Sequence, residues 1–309
     1  MKTNKLLILI TAVAGAVALL TPAIARAETI YVSNGGNNTI VQFTLAGVSS
    51  PFATTGSSPH GLAFDTAGNL YAAGDTSTIE KFTLGGGLGS QFADGLTNPV
   101  GLAFDSTGNL YAANRAGFTI QKFTPGGVGS IFADSSDGVI EPKGLAFDSS
   151  GNLFAAMNNN TIVKFTPGGV SSVFATISSG GGATLRNPEG LAFDSAGNLF
   201  VASSGNNQIE IFTPNGDGSV FAVTGAVPRG LAFDSSGNLY AAMSNNTIER
   251  FTPGGVSSVF ATGLNSPQYI AIVPEPSSCI LLLSGALLCL QRKRPSTSKR
   301  IFSVRAVNQ

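Results

Sequence analysis

The five-residue segment Gly-Leu-Ala-Phe-Asp occurs five times in this chain of 309 residues. The copies begin at Gly61, Gly101, Gly144, Gly190 and Gly230, so they are 40 to 46 residues apart. Each copy continues with Gly-Asn-Leu and an aromatic residue, a polar turn, an Ile-x-x-Phe segment and a last segment that ends in Phe-Ala. Four short strands per unit, repeated at this period, are typical of the blades of a β-propeller.

Turn residues separate the strands of each unit. Asp65-Thr66-Ala67-Gly68-Asn69 combines a carboxylate that can accept backbone hydrogen bonds with a glycine that tolerates positive φ, so it predicts a hairpin between the first two strands. Thr124-Pro125-Gly126-Gly127 predicts a type II turn with Pro at i+1 and Gly at i+2. Such turns account for the high glycine content, 39 residues.

Two phenylalanine positions occur six times, although only five units are complete. The first set is Phe43, Phe82, Phe123, Phe165, Phe212 and Phe251, and the second is Phe52, Phe92, Phe132, Phe174, Phe221 and Phe260. We interpret both sets as core packing between blades. Residues 29–53 supply three strands of a further blade, and 268–273 supply its first strand. The sequence therefore predicts an all-β, six-bladed propeller closed by pairing of its N- and C-terminal segments, which leaves no open blade edge in the ring.

The blade sequence resembles the NHL-repeat propellers, whose units carry Pro-x-Gly-Leu-Ala-x-Asp, Gly-Asn-Leu and Asn-Asn-x-Ile patterns. The resemblance covers residues 29–273 and implies the same fold. It does not fix an activity, because related propellers include lactonases, lyases, and protein-binding and RNA-binding modules.

We place the propeller region at residues 28–273. Its charge limits which partners it can bind, and its cysteine content determines whether a disulfide can stabilise it. It holds 8 Lys and Arg against 16 Asp and Glu, a net charge of −8. Nucleic-acid binding relies on clustered basic residues, so we expect no nucleic-acid partner. Both cysteines, Cys279 and Cys289, lie outside this region, so no disulfide can stabilise it.

The N-terminus is typical of a secretory signal peptide, residues 1–27. Lys2 and Lys5 precede the apolar run 6–20, and small residues at Ala25 and Ala27 provide a cleavage site. The apolar run is short for a membrane span, which disfavours an uncleaved anchor. We therefore expect export and cleavage after Ala27.

Near the C-terminus, Pro274-Glu275-Pro276 is followed by the apolar stretch Cys279–Leu290 and then by Arg292-Lys293-Arg294. Residues 274–294 resemble the PEP-CTERM sorting signal of Gram-negative bacteria, with 295–309 as a basic tail. The resemblance implies exosortase-type sorting machinery as a partner, transient or stable membrane contact through 279–290, and delivery to the cell envelope, the outer surface or an extracellular matrix. The alternative is a plain C-terminal membrane anchor.

One position varies from blade to blade, namely the residue that follows the proline at the start of each first strand. Around the ring it is His60, Val100, Lys143, Glu189, Arg229 and Gln268. First strands line the central channel of a propeller, so these side chains should meet at its mouth. We hypothesise a ligand site formed by His60, Lys143, Glu189, Arg229 and Gln268, beside the loops 133–143 and 175–189. The alternative is that these residues are solvated at a position without a packing constraint.

No motif indicates a particular catalytic chemistry. His60 is the only histidine, which excludes a metal site built on several histidines, and a lactonase-type site would hold a divalent cation through carboxylates and amides. The repeated aspartates Asp65, Asp105, Asp148, Asp194 and Asp234 could supply calcium ligands, but a role in the turns is favoured. Nucleophile elbows, phosphate-binding loops and paired catalytic carboxylates are absent.

These observations favour an exported, non-enzymatic binding or scaffold module without a required cofactor. A polysaccharide, a protein or a small molecule would be its ligand. The alternative is a secreted metal-dependent hydrolase or lyase, lactonase-like, that uses the channel mouth.

Overall fold

A computed structural model describes residues 28–176 and 184–274. Within these ranges the chain forms 25 β-strands and one short 3-10 helix, Ser135–Asp137. The expected signal peptide and the expected sorting segment after Pro274 lie outside the described residues. In the described ranges no helix has the length and apolar character needed to cross a bilayer.

The 25 strands are short, with two to eight residues each. The first thirteen are β1 (Glu28–Asn34), β2 (Thr39–Thr44), β3 (Ser49–Thr54), β4 (Pro59–Phe64), β5 (Leu70–Gly74), β6 (Thr78–Phe82), β7 (Gly87–Leu88), β8 (Ser90–Ala93), β9 (Pro99–Phe104), β10 (Leu110–Asn114), β11 (Thr119–Phe123), β12 (Gly129–Ala133) and β13 (Pro142–Phe147). The others are β14 (Leu153–Met157), β15 (Thr161–Phe165), β16 (Ser171–Ala175), β17 (Pro188–Phe193), β18 (Leu199–Ser203), β19 (Gln208–Phe212), β20 (Gly218–Val223), β21 (Pro228–Phe233), β22 (Leu239–Met243), β23 (Thr247–Phe251), β24 (Ser257–Ala261) and β25 (Pro267–Pro274).

These strands form six sheets, the blades of a six-bladed β-propeller, as the repeat predicts. Blade 1 is β4, β5, β6 and β8, blade 2 is β9 to β12, and blade 3 is β13 to β16. Blade 4 is β17 to β20, blade 5 is β21 to β24, and blade 6 is β25, β1, β2 and β3 in that order. Each first strand lies beside the first strand of the next blade, and β25 lies beside β4, so the ring is complete.

Blade 6 is built from both ends of the propeller region. β1 pairs antiparallel with β25, and Ile30 lies opposite Ile272 in this register. The hydroxyl of Ser33 accepts a hydrogen bond from the Tyr269 N–H at 2.9 Å and donates one to the His60 carbonyl oxygen at 2.7 Å. Ser33 is fully buried. Its hydroxyl connects β25, the first strand of blade 6, to β4, the first strand of blade 1. The predicted closure is confirmed.

Aromatic side chains fill the spaces between blades. Tyr71 in blade 1 contacts Phe92 of its own blade and Phe104 of blade 2 edge-on, with ring centroids 4.9 and 5.0 Å apart. Phe92 also contacts Phe123 of blade 2 at 6.2 Å, so the two predicted phenylalanine layers pack across blade boundaries. Each such ring pair contributes about 0.5–1.5 kcal/mol beyond area burial. Six hydrophobic clusters result, one at each interface.

The Pro-Gly-Gly turns differ from the predicted type. Gly127 has a positive φ of 84°, whereas Gly126 does not. The Gly127 N–H donates to the Thr124 carbonyl oxygen at 2.8 Å, and the Thr124 N–H donates to the Val128 carbonyl oxygen at 3.0 Å. The type II prediction is therefore wrong. These residues form a type I turn followed by a left-handed glycine, a common three-residue hairpin connection.

The repeated aspartates hold the other hairpin. In blade 1, Asp65 Oδ1 accepts hydrogen bonds from the N–H groups of Ala67 and Asn69 at 3.0 and 2.8 Å, and Oδ2 accepts from Asn69 Nδ2 at 2.8 Å. The same turn contacts recur at the other four aspartates. Their carboxylate oxygens are thus engaged in the turns.

One strand was not anticipated. Segment β7 pairs in parallel with β3, with Ala53 opposite Gly87. In this turn blade 1 has one residue more than the Pro-Gly-Gly blades and lacks the proline. Gly86 and Gly87 both have positive φ, 67° and 88°, which a proline or a branched residue would resist. The extra residue lets the segment reach the outer edge of blade 6.

Neighbouring first strands approach most closely at the glycine that follows the variable position. A Cβ at Gly61, Gly101, Gly144 or Gly190 would overlap a backbone carbonyl oxygen of the next blade. Glycine is required there because no side chain fits between the strands. The inner diameter of the ring depends on this contact.

Replacing Gly144 with alanine should therefore lower the melting temperature by roughly 5 to 10 °C, because overpacking costs about 1–3 kcal/mol. Gly225→Ala is the matched control, since its Cβ would have nothing within 4 Å. Thermal unfolding followed by circular dichroism measures both. Equal melting temperatures would contradict the close strand contact.

Candidate functional site

One end of the channel opens into a polar cavity of about 380 Å³. The five proposed site residues all line it, together with Val100 from blade 2. The structure thus brings the variable position of all six blades together, as the ring geometry requires. The volume lies within the range of small-molecule sites, and a role in ligand binding stays a prediction. The other lining residues are Asp75, Asn98, Arg115, Asn158, Asn187 and Tyr269.

A second ring of side chains was missed by the sequence reasoning. Asp75, Arg115 and Asn158 each follow directly after the second strand of their blade and line the cavity. A signal for them existed, because this position also varies while the surrounding repeat is nearly constant. Around the ring it is Gly35, Asp75, Arg115, Asn158, Ser204 and Ser244.

Left-handed backbone conformations recur at the start of the first strands. The residue before the proline has positive φ in four blades: 51° at Asn98, 44° at Glu141, 45° at Asn187 and 51° at Ser266. The left-handed region is uncommon for such residues and costs about 1 kcal/mol or more. Asn98 and Asn187 line the cavity, so part of this strain lies at the channel mouth.

A His–Asp hydrogen bond and an Arg–Glu ion pair occupy one side of the mouth. His60 Nε2 lies 2.7 Å from Asp75 Oδ1. Arg115 Nε lies 3.7 Å from Glu141 Oε2, which also accepts a hydrogen bond from Asn158 Nδ2 at 3.0 Å. On this side of the mouth, Asp75 therefore lies beside a nitrogen of His60, and Glu141 lies beside a nitrogen of Arg115.

The opposite side holds charges without such partners. Lys143 is 6% exposed and donates from Nζ to Asn187 Oδ1. Asn187 Nδ2 donates to Ser204 Oγ at 2.5 Å and lies 3.4 Å from Glu189 Oε1. Among the described residues, neither Lys143 nor Arg229 forms an ion pair. Burial lowers the pKa of Lys143, and the nearby Glu189 carboxylate opposes this shift.

Tyr269 takes the place of the close-contact glycine in blade 6. Its hydroxyl is buried and lacks a hydrogen-bond partner within the described part of the chain. Burial holds the pKa of this phenol far above its ordinary value, and the charge of Glu189 acts in the same direction. Tyr269 is therefore a neutral phenol whose unmet hydrogen bond costs about 1–3 kcal/mol.

Comparisons with known proteins identify other structures with this fold. No family model and no curated protein sequence matches the chain. A structure described as a nidogen/laminin complex has a TM-score of 0.70 and 20% identity, covering 79% of this chain and 98% of that chain. Virginiamycin B lyase from Staphylococcus aureus has a TM-score of 0.61 and 19% identity, covering 79% and 84%. A putative gluconolactonase has 0.61 and 21%, covering 78% and 87%. The chain thus shares its propeller fold with lyase-like and lactonase-like proteins.

The pKa of Lys143 should differ from that of other lysines. Burial depresses it, whereas hydrogen bonds to Tyr71 and Tyr111 raise the pKa values of Lys81 and Lys122. Nuclear magnetic resonance of ¹³C-dimethylated lysines should show one resonance that titrates below the others and disappears in Lys143→Arg. Glu189→Gln should lower this pKa further. A Lys143 resonance that titrates together with Lys81 would contradict the burial of its amine.

Proposed function

We propose that the protein is an exported binding module of the cell envelope or extracellular matrix, and that its channel mouth holds a small hydroxylated carboxylic acid such as a sugar acid. The observation that carries this proposal is that two cations, Lys143 and Arg229, line a polar cavity shared by all six blades and form no ion pair among the described residues. The predicted signal peptide and the resemblance of residues 274–294 to a sorting signal support export.

The cations suit a carboxylate. Among the described residues, the Arg229 side chain forms one hydrogen bond, from Nη1 to the neutral hydroxyl of Ser266 at 3.5 Å, which leaves donors for a bidentate pair with a ligand. Lys143 is desolvated, which strengthens its attraction for an anion. Glu189, between them around the ring, would accept hydrogen bonds from ligand hydroxyls.

The neutral lining suits hydroxyl groups. Asn98, Asn158, Asn187 and Gln268 each carry a donor and an acceptor. The chain has no tryptophan, which disfavours recognition of a sugar by stacking. Hydrogen bonds and charge, rather than ring stacking, would select the ligand.

Isothermal titration calorimetry with glucuronate, gluconate and glucose tests this function. We expect both acids to bind more tightly than glucose, and Arg229→Gln to weaken the acids at least tenfold, because charge-assisted hydrogen bonds contribute about 1.5–3 kcal/mol. Lys164→Gln is the control, since this cation lies over the Phe154 ring and not in the cavity. Absence of binding at millimolar acid, or equal losses in both variants, would reject the proposal.

A second candidate is a hydrolase or lyase of the propeller type. The His60–Asp75 hydrogen bond favours it, because a histidine oriented by a carboxylate can act as a general acid or base. The described ranges contain no group of three or more His, Cys, Asp or Glu residues that could hold a metal. A divalent ion at the mouth would therefore need amide ligands. Stoichiometric metal that is lost in Glu189→Gln would favour the enzyme over the binding module.

A further inference from the structure

Blade 4 contains a buried carboxylate that takes no part in the channel mouth. Glu210 in β19 has no exposed surface. Among the described residues it forms no ion pair, and its Oε2 has no hydrogen-bond partner. Burial raises the pKa of this carboxyl, although the Asn206 side chain and the Thr184 N–H hydrogen-bond to it. An unpaired buried carboxylate is costly unless a proton or a cation neutralises it.

Four oxygen atoms surround one amide nitrogen beside this carboxylate. Asn206 Nδ2 lies 2.8 Å from the Thr184 carbonyl oxygen, 3.1 Å from Thr184 Oγ1, 2.8 Å from Gln208 Oε1 and 3.4 Å from Glu210 Oε1. An amide nitrogen has only two hydrogens to share among these four oxygens. Asn206 Oδ1 is itself buried without a partner in the described ranges. These oxygen atoms thus lie close together, and no ion pair among the described residues brings a cation to them.

The equivalent place in blade 2 is neutral and hydrogen-bonded. Gln121 occupies the register position of Glu210, and its Oε1 accepts from Asn114 Nδ2 at 2.8 Å. Thr119 occupies the position of Gln208 and also accepts from Asn114 Nδ2, at 3.2 Å. Blade 4 thus has a carboxylate and an additional amide oxygen where blade 2 has an amide and a hydroxyl. The scaffold itself does not require the buried charge.

We propose that this cluster is a binding site for a hard cation, with Ca²⁺ as its best occupant. Six oxygens are at hand: both oxygens of Glu210, Gln208 Oε1, the carbonyl and hydroxyl oxygens of Thr184, and Asn206 Oδ1 once its amide is turned by 180°. Such a turn exchanges two atoms that only the hydrogen-bond network distinguishes. Ca²⁺ takes six to eight oxygens from carboxylates, amides and carbonyls.

The composition of the site sets its affinity and its effect. With one carboxylate, the dissociation constant should be about 0.1–1 mM, which is the range of extracellular calcium modules. The ion would join Thr184, which follows the fourth strand of blade 3, to β19 of blade 4. Binding to the folded state alone raises stability with ion concentration.

Thermal unfolding of the whole chain, treated with a chelator and measured with and without 10 mM CaCl₂ at constant ionic strength, tests the proposal. Ca²⁺ should raise the melting temperature by about 3 °C or more. Glu210→Gln, which keeps the shape and removes the charge, should abolish this shift. Gln208→Thr, which installs the residue of blade 2, should reduce the shift and covers the case in which Glu210→Gln does not fold.

Two controls separate this site from others. Glu80→Gln changes the same register position in blade 1, where the carboxylate accepts from the Gly56 N–H at 3.0 Å, and it should keep the shift. Glu189→Gln at the channel mouth should also keep it. Absence of a shift in the unmodified protein overturns the proposal and indicates that Glu210 is protonated. A shift that survives Glu210→Gln, or one that is lost in Glu189→Gln, overturns it as well.

Discussion

The pairing of β1 with β25 is the interaction on which the remaining structure depends. It places strands from both ends of the propeller region in one sheet, and the buried hydroxyl of Ser33 continues the connection to blade 1. Because the other first strands meet through glycine backbones, the ring has one fixed inner diameter. Its closure adds the two interfaces of blade 6 to the four between the other blades, so that all six interfaces contain a hydrophobic cluster.

The proposed ligand site lies where the repeat varies from blade to blade. Constant residues form strands, turns and aromatic layers, whereas the first variable position of all six blades and the second variable position of blades 1 to 3 line the channel mouth. Blade 6 departs from the pattern because Tyr269 replaces the close-contact glycine and has a buried hydroxyl without a hydrogen-bond partner among the described residues. Blade 4 differs from blade 2 because Glu210 is a fully buried carboxylate at the position where blade 2 has the hydrogen-bonded amide of Gln121. Both departures cost stability, which is the usual sign of a binding site in a repetitive scaffold.

The sequence predicts the fold and the first ring of cavity residues because both follow from periodicity. Once the blade count is known, residues at one repeat position must meet around the axis. The turn type, the strand β7 and the contact of Glu210 with Thr184 follow instead from local backbone angles and from loop lengths, which a repeat pattern does not specify. The second ring of cavity residues, which includes Asp75 and Arg115, is partly predictable. The sequence shows that this position varies between blades, but whether its side chains point toward the channel depends on the twist of the strands.

Hydrogen exchange of the β25 backbone amides tests the closed ring most directly. If β1 and β25 close the propeller, the amides of Ala271 and Val273, which lie opposite Tyr31 and Thr29, should exchange only through global unfolding, with the same free energy as amides of the central strand β14. Exchange of β25 at a much lower free energy, as for a frayed terminal strand, would contradict the closed ring and with it the common channel mouth.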